Sequence, residues 1–332
     1  MLIVGDPHIK ITNIDAGRQF ITWLKETVRS TRPGWVVFLG DFFDSHAVIR
    51  AEILSDYRNL IDFLMVEQRC NVAHVLGNHE QYVPTDSTYH ALQSMKNLYP
   101  NYHVIDTRTD IDNMTFIPFL ADHTQFPKDT KEICFAHQSF IGVDFGGFRP
   151  EYGVNADEVA AEIIISGHIH RQQEFGKVWY PGSPFAQTAN DVDQVKGIFK
   201  FDPKTYTKTF IECPLPRWRS VDMELNAEVS VDSALEVVSA TINSDDHWVL
   251  KVKGARADVT ALLESPTLKK LKKAYQIQER TSFTDLAKER VKIEASSADT
   301  LIDEYLDKVY DGLVDKVELK KTIAGFLAET KG

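Results

Sequence analysis

WVVFLGDFFD, residues 35–44, decides the fold. Trp35 to Leu39 run without a polar interruption into Gly40, and two carboxylates, Asp41 and Asp44, follow at once. An apolar run this short, rich in β-branched and aromatic residues, reads as a strand buried on both faces. The same pattern recurs along the chain. LIVG (2–5) precedes Asp6 and His8, VAHVLG (72–77) precedes Asn78, His79 and Glu80, EICFA (132–136) precedes His137, and EIIISG (162–167) precedes His168 and His170. YHVI (102–105), TFIPF (115–119) and VWYPG (178–182) are further strands. Between them Phe20, Trp23, Leu24 and Val28, then Ile53, Leu54, Tyr57, Leu60, Ile61 and Leu64, recur at helical spacing and predict two helices with one apolar face each. Strands alternating with helices predict α/β layering.

In such a sheet the carboxyl ends of the strands share one edge, and ligands bind in the crevice there. Five separate segments therefore deliver Asp, Asn and His to one place. Imidazole, carboxylate and amide oxygen without thiolate suit a divalent ion of intermediate softness. The one-residue gaps in DPH and HIH put both members of each pair on one face of a strand, so both would point into one pocket. Taken singly, each motif has an ordinary reading as a turn, a helix cap or an edge strand. Their order and their common place at strand ends set them apart.

Composition bounds the rest. The chain has 332 residues, 43% hydrophobic and 26% charged, enough for a full core and, on length, two domains. The formal net charge of −11 excludes passive coating of nucleic acid by a basic surface, though not an anion site that brings its own cations. Cys70, Cys134 and Cys213 form no CxxC pair, so neither a disulfide framework nor a thiolate zinc site is expected. A reducing cytoplasm fits. No run is long enough to span a bilayer, and no export signal is read. Cys213-Pro214-Leu215-Pro216 breaks both periodicities and reads as a linker. VDMEL, VDSALEVVSATI, HWVLKVKG, ADVTALLE and AYQIQER beyond it predict a module of strand, helix, strand, helix, strand. The tail carries Leu301, Ile302, Tyr305, Leu306, Val309, Tyr310, Leu313, Val317, Ile323 and Phe326 at largely helical spacing.

The ordered set DPH, GDFFD, GNHE, a lone His and GHIH resembles the calcineurin-like binuclear metallophosphoesterase superfamily. YPGSP (180–184), the strand GIFKFD, the small α/β module and the helical tail are similar to the SbcD nuclease family, in its phage branch. The resemblance implies a four-layer α/β/β/α sandwich with a small α/β capping domain and a C-terminal helical tail. It divides the chain into a nuclease domain (1–213), a DNA-binding cap (214–282) and a linker with an ATPase-binding helical segment (283–332). It also implies two divalent ions, Mn²⁺ by family habit. One would be held by Asp6, His8, Asp41 and His170, the other by Asp41, Asn78, His137 and His168, with Asp41 bridging. His79 would act on the leaving oxygen. Asp44 stands where some members carry histidine, and Glu80 stands where Asp usually follows GNH, a longer carboxylate expected to alter how His79 is held.

The activity implied is hydrolysis of DNA phosphodiesters, as double-strand exonuclease and single-strand endonuclease, within an SbcCD-like repair and recombination complex. The implied partners are DNA, an SbcC-type coiled-coil ATPase bound through the tail, and a second copy of the chain docked through helices near 47–68 and 86–97. Rival readings are a metallophosphatase or cyclic nucleotide phosphodiesterase on the same core, and an inactive adaptor for the ATPase. Residues 265–295 carry eight basic against four acidic side chains, and Lys269, Lys270, Lys272 and Lys273 are candidate DNA contacts. His46, His74, His90, His103, His123 and His247 fit no ligand position, His46 being nearest to the motifs.

Overall fold

The protein is described by a computed structural model covering residues 1–284 apart from 47, 84, 148, 243 and 244. Each apolar run forms a strand. β1 (Leu2–Val4), β2 (Trp35–Phe38), β3 (Asn71–Val75) and β6 (Tyr102–Ile105) are parallel neighbours, and β13 (Gly197–Phe201) and β14 (Lys208–Glu212) extend the sheet antiparallel past β1. The second sheet is ordered β11 (Gln173–Phe175), β12 (Val178–Tyr180), β10 (Ile163–Gly167), β9 (Ile133–His137), β8 (Met114–Ile117), β7 (Thr109–Ile111). Its four central strands are parallel, and its two edge strands are antiparallel to their neighbours.

Strand alternation divides the core. Leu2, Val4, Val36 and Phe38 face α1 (Ile14–Thr31) and α2 (Ala51–Asp62), while Ile3, Val37 and Leu39 face Phe116, Phe135 and Ile165 of the second sheet. Burying each such side chain contributes about 1.5–3 kcal/mol. On the outer face of the second sheet, Cys134, Ala136, Ile164 and Tyr180 pack under loops and 3₁₀ turns such as His123–Gln125 and Ala156–Glu158. The sandwich is thus the mixed α/β one expected, with its helical cover full-length on one side and cut to single turns on the other.

The third sheet is β15 (Trp218–Glu224), β16 (His247–Gly254) and β17 (Ile277–Phe283), all parallel. α3 (Val231–Thr241), α4 (Arg256–Glu264) and α5 (Pro266–Ala274) cover one face through Ala234, Val238, Val259, Leu262 and Leu268. The order matches the expectation except for α5, an added helix with Pro266 at its start and Ser265 capping it. The module touches the main body through Trp218 and Val249 against Ala189.

One expectation is corrected. No helix spans 86–97: β4 (Gln81–Val83) and β5 (Asp86–His90) form a hairpin, and a 3₁₀ turn, Gln93–Met95, follows. Thr88 and Tyr89 are β-formers and outweigh the apolar spacing beyond them. The tail from 285 on, with Lys288, Arg290 and Lys292, lies outside the described residues. Among those described, no helix is long and apolar enough to cross a membrane.

Candidate metal centre

Every motif leaves its strand at a carboxyl end, and the two sheets turn those ends toward each other. Asp6 and His8 follow β1, Asp41 follows β2, Asn78 and His79 follow β3, His137 is the last residue of β9, and His168 and His170 follow β10. The structure brings all eight together. His137 Nε2 lies 3.2 Å and His8 Nε2 3.4 Å from Asp41 Oδ2. Asn78 Oδ1 is 3.1 Å from His137 Nε2 and 3.0 Å from His168 Nδ1, and His170 Nε2 is 2.9 Å from His8 Nε2. Donor atoms of Asp6, His8 and Asp41 form one compact group and those of Asp41, His137 and His168 another, so Asp41 belongs to both.

Strand pleating does not account for DPH and HIH. His8 (φ 45°), Asp41 (φ 48°) and His168 (φ 80°) are left-handed residues past the strand ends, and the side chains converge because the backbone turns there. Such conformations in non-glycine residues cost of the order of 1–3 kcal/mol each and persist only where the surroundings impose them. The surroundings are tight. A Cβ on Gly77 would sit 2.1 Å from Asp41 Oδ1, and one on Gly5 2.0 Å from the carbonyl oxygen of Gly182, which places YPGSP directly beneath DPH.

Four of the candidate ligands are held from behind. The His137 Nδ1–H donates to the Leu39 carbonyl (2.7 Å), which leaves Nε2 to face the centre. Asp6 Oδ1 accepts from the His168 amide (2.7 Å), and Asp41 Oδ1 from the His79 amide (2.8 Å). Asp44 stands 3.3 Å behind His8 Nδ1 and pairs with Lys10 at 3.1 Å. The His8 and Lys10 contacts hold its carboxyl at about 2, against partial burial.

Glu80 corrects the sequence reading. It does not touch the His79 ring, which donates from Nδ1 to the Asp44 carbonyl at 2.7 Å. Its buried carboxylate instead accepts backbone N–H groups from Gly77 (2.8 Å), Asp41 (2.7 Å), Phe42 (2.5 Å) and Phe43 (3.3 Å). The extra methylene lets it span two motifs and set the turn that carries Asp41. Behind it lies His74, whose Nδ1 meets Tyr57 Oη at 2.5 Å, and Tyr57 in turn meets Tyr102.

The donor set fits divalent cations. Asp6 Oδ2 is buried and has no hydrogen-bond partner among the described residues, which is costly unless something positive meets it. Burial pushes the Asp6 carboxyl up to about 6 and the His168 and His170 imidazoles down to about 3 and about 4, so both rings are in the neutral form a metal requires. Burial works to discharge His137, yet Asp41 raises it to about 9, and the Asp41 carboxyl in return stays below the ordinary carboxylate range. The centre draws positive charge.

A cavity of about 220 Å³ opens over the cluster, lined also by Lys10, Gln187 and Thr188. Sequence reading missed all three. Gln187 Nε2 donates to the Pro7 carbonyl (2.7 Å), and no periodicity or motif marks that loop. His46 stacks on His79 with ring centroids 4.4 Å apart. Phe119 packs on His168. Away from the centre, Lys269, Lys270, Lys272 and Lys273 are exposed on α5, and Lys272 pairs with Glu279.

Residues 1–172 match the calcineurin-like phosphoesterase family. Protein 244L of Invertebrate iridescent virus 6 is 30% identical over 203 residues, 55% of this chain and 69% of its own length. Protein 078R of Invertebrate iridescent virus 3 is 26% identical over 201 residues, 55% of this chain and 56% of its own. Both bear phosphoesterase names. Exonuclease subunit 1 of Enterobacteria phage T4 is 24% identical over 217 residues, 62% of each chain. The matched stretch thus spans little more than half of some of these relatives.

Proposed function

The chain belongs to the calcineurin-like phosphoesterase family, and from that membership we propose that it is a metal-dependent DNA nuclease, exonuclease on duplexes and endonuclease on single strands. The observation that carries the reading is the convergence of donor groups on Asp41, whose carboxylate lies between His8 and His137. DNA as substrate is supported by the likeness to exonuclease subunit 1 of phage T4.

Asp6, His8, Asp41 and His170 would hold one divalent ion and Asp41, Asn78, His137 and His168 a second, both Mn²⁺ in our reading. Such a pair, when bound, lowers the pKa of a water to about 7 and neutralises charge building on phosphorus. The chain's own part is positioning and proton handling. Leu39, Asp44 and the amides of His79 and His168 fix the ligands' orientation. The His79 Nδ1–H donates to the Asp44 carbonyl, so Nε2 is the ring atom left to act on the leaving oxygen, to which it would give a proton from the imidazolium form of the ring.

Residues 1–213 are the proposed nuclease domain and 214–282 a DNA-binding cap, with α5 lysines on the phosphate backbone. The tail, 283–332, is the proposed seat of an SbcC-type coiled-coil ATPase in an SbcCD-like complex, and a second copy of the chain completes it. The test compares duplex DNA, single-stranded DNA, a bis-aryl phosphodiester and an aryl phosphomonoester with Mn²⁺. Cleavage of DNA and of the diester is expected. Activity on the monoester alone would overturn the reading.

A further inference from the structure

The cavity over the cluster does not end at His170. Through His168, His170 and Thr188 it continues into a cleft of about 320 Å³ whose remaining walls include Phe145, Arg171, Asn190 and Gln194. The proposed chemistry uses none of those four. Arg171 directly follows GHIH, is exposed, and makes no hydrogen bond or ion pair with the described residues. Phe145 is 47% exposed, a large apolar ring left in water at the edge of a polar cleft.

The ring is presented by an ordered loop. Asp144 Oδ1 accepts from the amides of Gly146 (2.8 Å) and Gly147 (2.6 Å), and the Gln173 side chain clasps the Asp144 backbone from both sides, accepting from its N–H (2.8 Å) and donating to its carbonyl (2.9 Å). The opposite wall is fixed too. Gln194 Nε2 donates to the Asn190 carbonyl (3.2 Å), and Arg280 of β17 donates to Ala189 O (2.9 Å) and Asn190 Oδ1 (3.1 Å). Two walls, one with the Phe145 ring and the Asp144 carboxylate, already bound to the Gly146 and Gly147 amides, and one with amides and Asp191, paired with Lys196, are joined by the Arg171 guanidinium, which attracts Asp144 but makes no ion pair with it.

We propose that this cleft binds the unpaired nucleotide next to the scissile phosphodiester, with Phe145 stacking on its base and Arg171 holding the adjacent phosphate. The inference rests on the nuclease reading and narrows it to single-stranded or splayed DNA. A monoester or a simple diester needs only the cavity over the cluster. A second phosphate and a base need what lies beyond it, a cation that can pair with phosphate in two places and a π-face that accepts any base. A base inside a duplex keeps both faces in the stack, so Phe145 can serve only a base at an end or one that has left the stack.

The experiment uses the full chain with Mn²⁺ and reads one ratio, kcat/KM on a single-stranded oligonucleotide over kcat/KM on a bis-aryl phosphodiester. Phe145→Ala should lower that ratio roughly 5- to 150-fold, the range for loss of one base stack, and Phe145→Tyr, which keeps the ring, should restore it. Arg171→Ala should lower it as well, and Arg171→Lys should recover it in part. Any loss common to both substrates, such as damage to the cluster or the fold, cancels in the ratio, so only a loss specific to DNA lowers it. Variants whose ratio equals the wild type's overturn the cleft while the nuclease reading stands. A wild-type chain that hydrolyses the diester but no DNA overturns the nuclease reading itself, and the cleft with it.

Discussion

Replacing Glu80 by Gln tests whether its carboxylate builds the centre. The two oxygens divide the work, Oε2 accepting from Asp41 and Gly77 and Oε1 from Phe42 and Phe43. Glutamine keeps the shape but has one acceptor oxygen, so one pair of amides must face an NH₂ group. Each buried donor left unpaired costs about 1–3 kcal/mol, and the longer Phe43 hydrogen bond (3.3 Å) sits at the weak end. The loss should be about 2–4 kcal/mol in denaturant unfolding of the metal-free protein. Because Asp41 is carried on the freed turn, metal affinity should fall about 10- to 100-fold in calorimetric titration. The pH dependence has a definite sign. Burial works to raise the Glu80 carboxyl, but His74 and the amides outweigh it and hold it below its ordinary value. Its stabilisation is therefore present at neutral pH and lost as pH falls below the unfolded value of about 4.3, and Glu80→Gln should remove that part of the acid limb. Unfolding within about 0.5 kcal/mol of wild type, the range of an ordinary surface change, would refute the reasoning.

His79→Ala should spare metal binding and lower kcat about 10²- to 10⁴-fold, checked by calorimetry beside steady-state kinetics. His46→Ala removes the ring stacked on His79, worth about 0.5–1.5 kcal/mol, and should lower kcat severalfold without changing metal affinity. Charge reversal of Lys269, Lys270 and Lys273 should weaken DNA binding at low salt and flatten its salt dependence, by about 0.9 in log–log slope for each phosphate no longer neutralised. Unchanged binding isotherms across a salt series would take α5 out of the DNA path.

Much of this molecule was legible because strands and ligands alternate in the chain. Apolar runs such as WVVFLG end in a glycine, and the next polar residue is a donor, so the strands and the candidate members of the centre could be read together. Position along a strand says nothing about what happens after it, however. The pleat rule failed for His8 and His168 because φ turns positive there, and only the packed backbone shows that. Glu80 stands beside His79 in the sequence and was expected to alter how that ring is held, whereas its reach is set by three-dimensional closeness to the Asp41 turn. Gln187 and Thr188 stand after the last motif and enter the cavity by loop closure alone. The helix expected near 86–97 gave way to a hairpin where β-branched and aromatic residues outweigh spacing. Asp44 and His46 were within reach of the sequence only as neighbours of the motifs, and Lys10 not at all.

Metal stoichiometry of wild type and Asp41→Asn, measured by equilibrium dialysis against Mn²⁺ with elemental analysis, bears most directly on the centre. One carboxylate placed between His8 and His137 predicts two ions per wild-type chain and the weakening of both together in the variant. A wild type that binds no ion, or a variant that keeps one at wild-type affinity, would contradict a shared centre built on Asp41.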